Sequence, residues 1–127
     1  MEKQFVSFDI ALKLKELGFD EKFSLFDSAV YYVNGNLTLC NDGYKTLFLE
    51  KEFIICPLYQ QVIDWFRIKH NLFIELVIDR TAEPKFTYII TRYLGDFNWE
   101  ESIMSEFLYR TYEESREDAI LKAIELC

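Results

Sequence analysis

Only four glycines, two prolines and one histidine occur among these 127 residues, and each scarcity closes off a class of function. A phosphate cradle of the Gly-rich kind needs closely spaced residues without a Cβ to bring backbone N–H groups onto an anion, and no such run exists here. One histidine and three cysteines (Cys40, Cys56, Cys127) without CxxC spacing do not make the usual zinc set. The odd, scattered cysteines read as free thiols of a reducing cytosol, not as a disulfide framework. No apolar run reaches the roughly 18 to 20 residues that cross a bilayer, because charges interrupt every one. The opening MEKQFVSFDIALKLKEL also lacks the basic-then-apolar order of a secretory signal. A cytoplasmic protein with no membrane partner is expected.

Basic charge is scarce as well. Fourteen Lys and Arg against twenty-two Asp and Glu give a formal charge of -8, which opposes the phosphate neutralisation behind most nucleic-acid affinity, so such a partner is not expected. The nearest basic grouping (Arg67, Lys69, His70) is the ordinary basic last turn of a helix. Apolar residues are plentiful, at 50% hydrophobic and 17% aromatic, and a chain of this length buries about two-thirds of its unfolded surface. One domain over residues 1–127 is expected.

Apolar spacing at Ile10, Leu14 and Leu17, with Ser7 ahead of it and Asp9 in the first turn, predicts a helix from Ser7 to Leu17. Gly18 and Phe19 then suit a Schellman stop. Ala29–Val33, Asn34-Gly35 and Leu37–Cys40 predict a tight hairpin with a type I′ turn. A turn at Asn41-Asp42-Gly43, a strand at Tyr44–Leu49 and a short strand at Phe53–Ile55 follow from their β-rich composition. Pro57 suits the first position of a second helix, with Leu58, Val62, Trp65 and Phe66 on one face and Asn71 as its stop. Leu72–Ile78 and Phe86–Leu94 predict two long strands, the first with Leu72, Ile74, Leu76 and Ile78 turned to the core. Gly95–Ser105 is acidic and reads as irregular, Phe107–Tyr109 as an added edge strand, and Thr111-Tyr112-Glu113-Glu114 as a capping box before a last helix burying Ala119, Ile120, Ala123 and Ile124. The whole reads as an α+β fold, a mostly antiparallel sheet of about five strands with three helices in the order α-β-β(-β)-α-β-β-α.

No set of residues selects a chemistry. His70 sits where a helix dipole favours an imidazolium, and Cys56 lies about 20 Å away along the helix axis, too far for a nucleophile–base pair. The carboxylates Asp96, Glu100, Glu101 and Glu106, and the run Glu113, Glu114, Glu117 and Asp118, lack calcium-loop spacing and read as solvated faces. No catalytic, metal or cofactor-binding residue is assigned, and no cofactor is expected. The surplus is aromatic: Tyr31, Tyr32, Tyr59, Tyr88, Tyr93, Tyr109 and Tyr112 with Trp65 and Trp99, residue types that anchor protein interfaces. Trp99, in GDFNWEES, either plugs a sheet edge or stands exposed for a partner. Phe97, Trp99, Glu100 and Glu101 are therefore the candidate partner-binding residues.

Three blocks, FVSFDIALKLKELGFDEK, CPLYQQVIDWFRIKHNLFIE and RTYEESREDAILKAIELC, resemble a group of small uncharacterised proteins of Bacteroidales gut bacteria, their phages and other mobile elements. PLYQQVIDWFR carries most of the resemblance, which spans about half the chain and implies an origin, not an activity or a residue role. Together these readings suggest a non-catalytic accessory protein that binds another protein, a host factor or itself, through an acidic and aromatic surface. The alternatives are a structural or regulatory homo-oligomer, and a small-ligand binder or minor enzyme using surface carboxylates and tyrosines.

Overall fold

The structure, a computed structural model, describes residues 4–25, 28–41, 53–80, 83 and 85–127. By its contacts the chain divides into Met1–Gln61 and Val62–Cys127, and each part has a sheet of its own.

In the first part the Ser7 hydroxyl accepts the Ile10 N–H at 3.3 Å and opens α1 (Phe8–Glu16), satisfying one of the N–H groups a helix start leaves bare. The helix stops as its sequence predicts. Gly18 adopts φ +92°, its N–H donates to the Lys15 carbonyl and the Phe19 N–H to the Leu14 carbonyl, both at 3.0 Å. That is the paired bonding of a Schellman stop, with Leu14 and Phe19 both buried.

Strands β1 (Ser24–Leu25), β2 (Ser28–Val33), β3 (Asn36–Cys40) and β4 (Phe53–Ile55) form a four-stranded antiparallel sheet. Ala29 pairs with both Ser24 and Cys40, and Tyr31 with both Thr38 and Ile55, so β2 is central, β3 takes one edge and β1 and β4 share the other. Asn34 and Gly35, at φ +53° and +86°, make the expected type I′ turn between β2 and β3. Alternation along β2 sends Ala29, Tyr31 and Val33 to one face with Cys40, Phe53 and Ile55. Val30 goes to the other face with Phe5, Cys56 and Tyr32. The expected strand at Tyr44–Leu49, and its turn beyond Asn41, lie outside the described residues.

The second helix, α2 (Tyr59–His70), starts two residues later than expected. Pro57 stays outside it because the Gln61 side-chain oxygen accepts the Leu58 N–H at 2.9 Å, the reach-back half of a capping box, which makes Leu58 the cap. Val62, Trp65 and Phe66 are buried as their spacing requires, and Asn71 ends the helix at φ +55°.

In the second part β5 (Leu72–Asp79), β6 (Lys85–Gly95), β7 (Asn98–Trp99) and β8 (Ile103–Met104) form another antiparallel sheet with β6 in the middle. The segment expected to be irregular is instead a broken third strand. Running back along β6, it pairs Asn98 with Gly95, Trp99 with Tyr93, Ile103 with Ile90 and Met104 with Ile89. The expected edge strand at Phe107–Tyr109 reduces to one bridge between Tyr109 and Phe86. Leu72 is buried, but the core-facing series fades along β5 until Ile78 is 47% exposed; the last helix is α3 (Tyr112–Glu125). Thr111 caps α3 by accepting the Glu114 N–H at 3.1 Å. Ala119, Ile120 and Ala123 are fully buried, Ile124 only half so. The fold class is α+β, with three helices and antiparallel sheets among the described residues.

Candidate functional site

The four residues singled out from sequence lie at one end of β6, where the chain turns into β7. Gly95 pairs with Asn98, leaving Asp96 and Phe97 as a two-residue turn with φ +51° and +62°, the pattern of type I′. Aspartate tolerates the left-handed region because its short side chain bonds locally. Phenylalanine at the second position, where glycine is favoured, is strained. Its ring gains nothing in return from the fold, being 95% exposed; only its N–H is engaged, donating to the Tyr93 hydroxyl at 3.1 Å.

Trp99 is packed on the sheet and partly exposed at once. Its ring packs edge-on against Phe73, centroids 5.1 Å apart, and at a tilt against Tyr93 at 4.8 Å, pinning the hairpin to the sheet. Half of it, 51%, still faces solvent. Leu94 is exposed beside the turn. The two acids divide. Glu100 lies 3.4 Å from the Arg92 guanidinium, which also donates to the Leu126 carbonyl at 2.6 Å, whereas Glu101 is exposed. The hairpin end is thus an aromatic surface rimmed by Asp96 and Glu101.

The other polar residues weighed from sequence separate. His70 packs edge-on against Trp65, centroids 4.7 Å apart, and is partly buried. Cys56 is fully buried, its Sγ 3.7 Å from the Val6 carbonyl. Burial pushes its thiol up to about 12, against a smaller opposing effect of the Tyr32 hydrogen bond, and a thiol held protonated is a poor nucleophile. Among the described residues no three His, Cys, Asp or Glu side chains gather closely enough to hold a metal ion.

A second feature was not assembled from sequence. Between β6, the returning segment 103–109 and α3 runs a cleft of about 530 Å³ lined by Tyr88, Ser105, Tyr109, Asp118 and Lys122 among others. The Tyr88 and Tyr109 rings stack at 6.4 Å. The Phe107 N–H donates to the Ser105 hydroxyl at 3.1 Å, which lies 3.2 Å from the Tyr109 hydroxyl. Desolvation raises the Tyr109 phenol above its ordinary value, Ser105 works against the rise, and the nearby Asp118 carboxylate adds to it. Desolvation likewise raises Tyr88, with Ser105 opposing. Both phenols are neutral at physiological pH and hold their protons as donors. Tyr88, Tyr109 and Asp118 were noticed in the sequence as separate surpluses. Ser105 and Lys122 were not, and the one local signal was their spacing of four residues from Tyr109 and Asp118.

No protein-family model, curated protein or solved structure matches this chain.

Proposed function

We propose that this chain is a non-catalytic protein-binding module, an accessory protein of the phage or mobile-element kind its sequence blocks resemble, and that it holds its partner at the β6–β7 hairpin. The observation that carries the reading is Phe97: a large apolar ring, 95% exposed, kept in a backbone conformation at φ +62° that glycine would adopt without strain. The fold derives no benefit from that ring, and strain of this kind concentrates at functional positions. Trp99 and Leu94 extend the apolar centre, while Asp96 and Glu101 supply an acidic rim, the arrangement of an anchor surrounded by charge. The partner is accordingly a protein with an apolar pocket and a basic border, a host factor in the first instance.

The test is capture from host lysate by the tagged full chain, run beside Phe97→Ala and Trp99→Ala with mass spectrometry of what is retained. A single stoichiometric protein held by the native chain and released by both variants supports the reading. Retention of nothing, or retention indifferent to both changes, overturns it. Light scattering of the purified chain reads the self-associating alternative, in which the hairpin meets a second copy.

A further inference from the structure

The cleft beside α3 offers a chemistry unrelated to the hairpin. Tyr88 and Tyr93 are five residues apart on β6, about 17 Å at strand rise, so the cleft and the aromatic surface occupy different stretches of the same strand. Its volume of about 530 Å³ is within the range of small-ligand sites. Tyr88 is only 7% exposed, so its phenol already stands in a desolvated wall.

Charge and hydrogen-bonding capacity in the cleft are one-sided. The Ser105 and Tyr109 hydroxyls lie 3.2 Å apart and the Ser105 oxygen accepts the Phe107 N–H, while the carboxylates of the cleft can only accept. Three carboxylates line the cleft (Glu106, Asp118, Glu125) against one ammonium, Lys122. That ammonium is already matched, with its Nζ 3.2 Å from Glu125. Asp118 and Glu106 have no ion pair among the described residues. What the cleft lacks is a positive charge carrying N–H donors. Its remaining walls, Ile103, Met104, Phe107 and Leu121, are apolar, and stacked phenol rings attract cations through their faces.

We infer that this cleft binds an organic cation, an alkylammonium or guanidinium group on an aliphatic stem, with Asp118 as the principal counter-charge. The cation arrives either as a free small amine or as a Lys or Arg side chain of a polypeptide. Its stem lies along Ile103 and Leu121 and its charge meets Asp118, where Glu106 adds to the field. The chain's net charge of -8 draws cations toward it generally, so specificity must be separated from that background.

The experiment is a titration of the isotope-labelled full chain, followed by amide chemical shifts at fixed ionic strength. The probes are n-butylguanidinium and n-butylammonium chloride, with n-pentanol, sodium butyrate and potassium chloride as controls, and Ac-Gly-Arg-Gly-NH2 and Ac-Gly-Lys-Gly-NH2 as the polypeptide source. Saturable shifts at Tyr88, Ser105, Tyr109 and Asp118 with the cations and not with the controls are expected, weakened at least tenfold in Asp118→Asn. Asparagine matches aspartate in size, so the cleft keeps its shape while the charge is lost; Glu106→Gln, expected to weaken binding less, covers the case in which Asp118→Asn fails to fold. Saturation by the small cations assigns a free amine, and saturation by the peptides alone assigns a basic residue; either supports the inference. Shifts with butyrate or pentanol to the same degree, equal affinity in Asp118→Asn, or no saturable shift overturns it.

Discussion

Replacing Phe97 with glycine should make the protein more stable. At φ +62° an L-residue bears roughly 1–2 kcal/mol of steric cost from its Cβ, and glycine removes that cost. Against this, glycine surrenders about 0.5–1 kcal/mol more backbone entropy on folding. The ring itself contributes almost nothing, because it is 95% exposed, and the bond from the residue's N–H to the Tyr93 hydroxyl does not depend on the side chain. The net expectation is a gain of about 0.5–1 kcal/mol, a rise in midpoint of roughly 2–6 °C, read by thermal and urea denaturation followed by circular dichroism. Phe97→Ala separates the causes: it removes the ring and keeps the Cβ, so its stability should stay within about 0.5 kcal/mol of the native chain. A loss of stability in Phe97→Gly, or a loss beyond that margin in Phe97→Ala, would refute the reasoning, because it would mean the ring makes a contact that holds the hairpin. Gained stability together with lost partner capture would show a residue kept for binding at the expense of folding.

Gly18→Ala should do the opposite. The space a Cβ would occupy is open, so the cost at φ +92° is conformational alone, about 1 kcal/mol, measurable as a lower urea midpoint with an unchanged slope. Thr111→Ala removes the cap of α3 and should cost about 1 kcal/mol, while Thr111→Ser restores most of it; equal losses in both would point to the methyl group instead. Cys56 titrates from 9.0 as a free thiol to about 12 in place, so below pH 9 both states keep the proton and its contribution is complete. Between those values the unfolded chain releases a proton the folded chain retains, and stability should fall by up to about 1.4 kcal/mol per pH unit. The slope should shrink in Cys56→Ala, and a disulfide reagent at pH 8 should reach exposed Cys127 well before Cys56.

The elements that local chemistry specifies were legible from sequence alone. Ser7, Gly18, Asn34-Gly35, Asn71 and Thr111 each mark a boundary because a side chain or a positive φ satisfies one backbone group nearby, and the structure has each in that role. Pro57 misled by two residues because proline fits both the first helical position and the one before the cap. The choice was made by Gln61, whose side chain reaches back to Leu58. The path of residues 98–109 was not legible, since its pairs with β6 come in short pieces. Pieces of two residues carry too little alternation to distinguish a strand from a loop.

The same reason decides which site could be seen. The hairpin residues Phe97 and Trp99 are near neighbours in the chain, so an aromatic pair in an acidic stretch announces itself. The cleft is built from β6, the broken return strand and α3, and brings Tyr109 and Asp118 to one site across the start of a helix. Asp118 read as one member of the acidic run Glu113, Glu114, Glu117, Asp118, all of it a solvated face. In the folded chain Glu113, Glu114 and Glu117 are exposed while Asp118 is partly buried: it stands about one turn from buried Ser115 and one turn from Lys122, on the side of α3 that lines the cleft. A run of like charge on an amphipathic helix therefore should be divided by helical phase before it is dismissed. The member turned toward the cleft leaves solvent in part and meets the neighbouring phenols, Tyr88 and Tyr109.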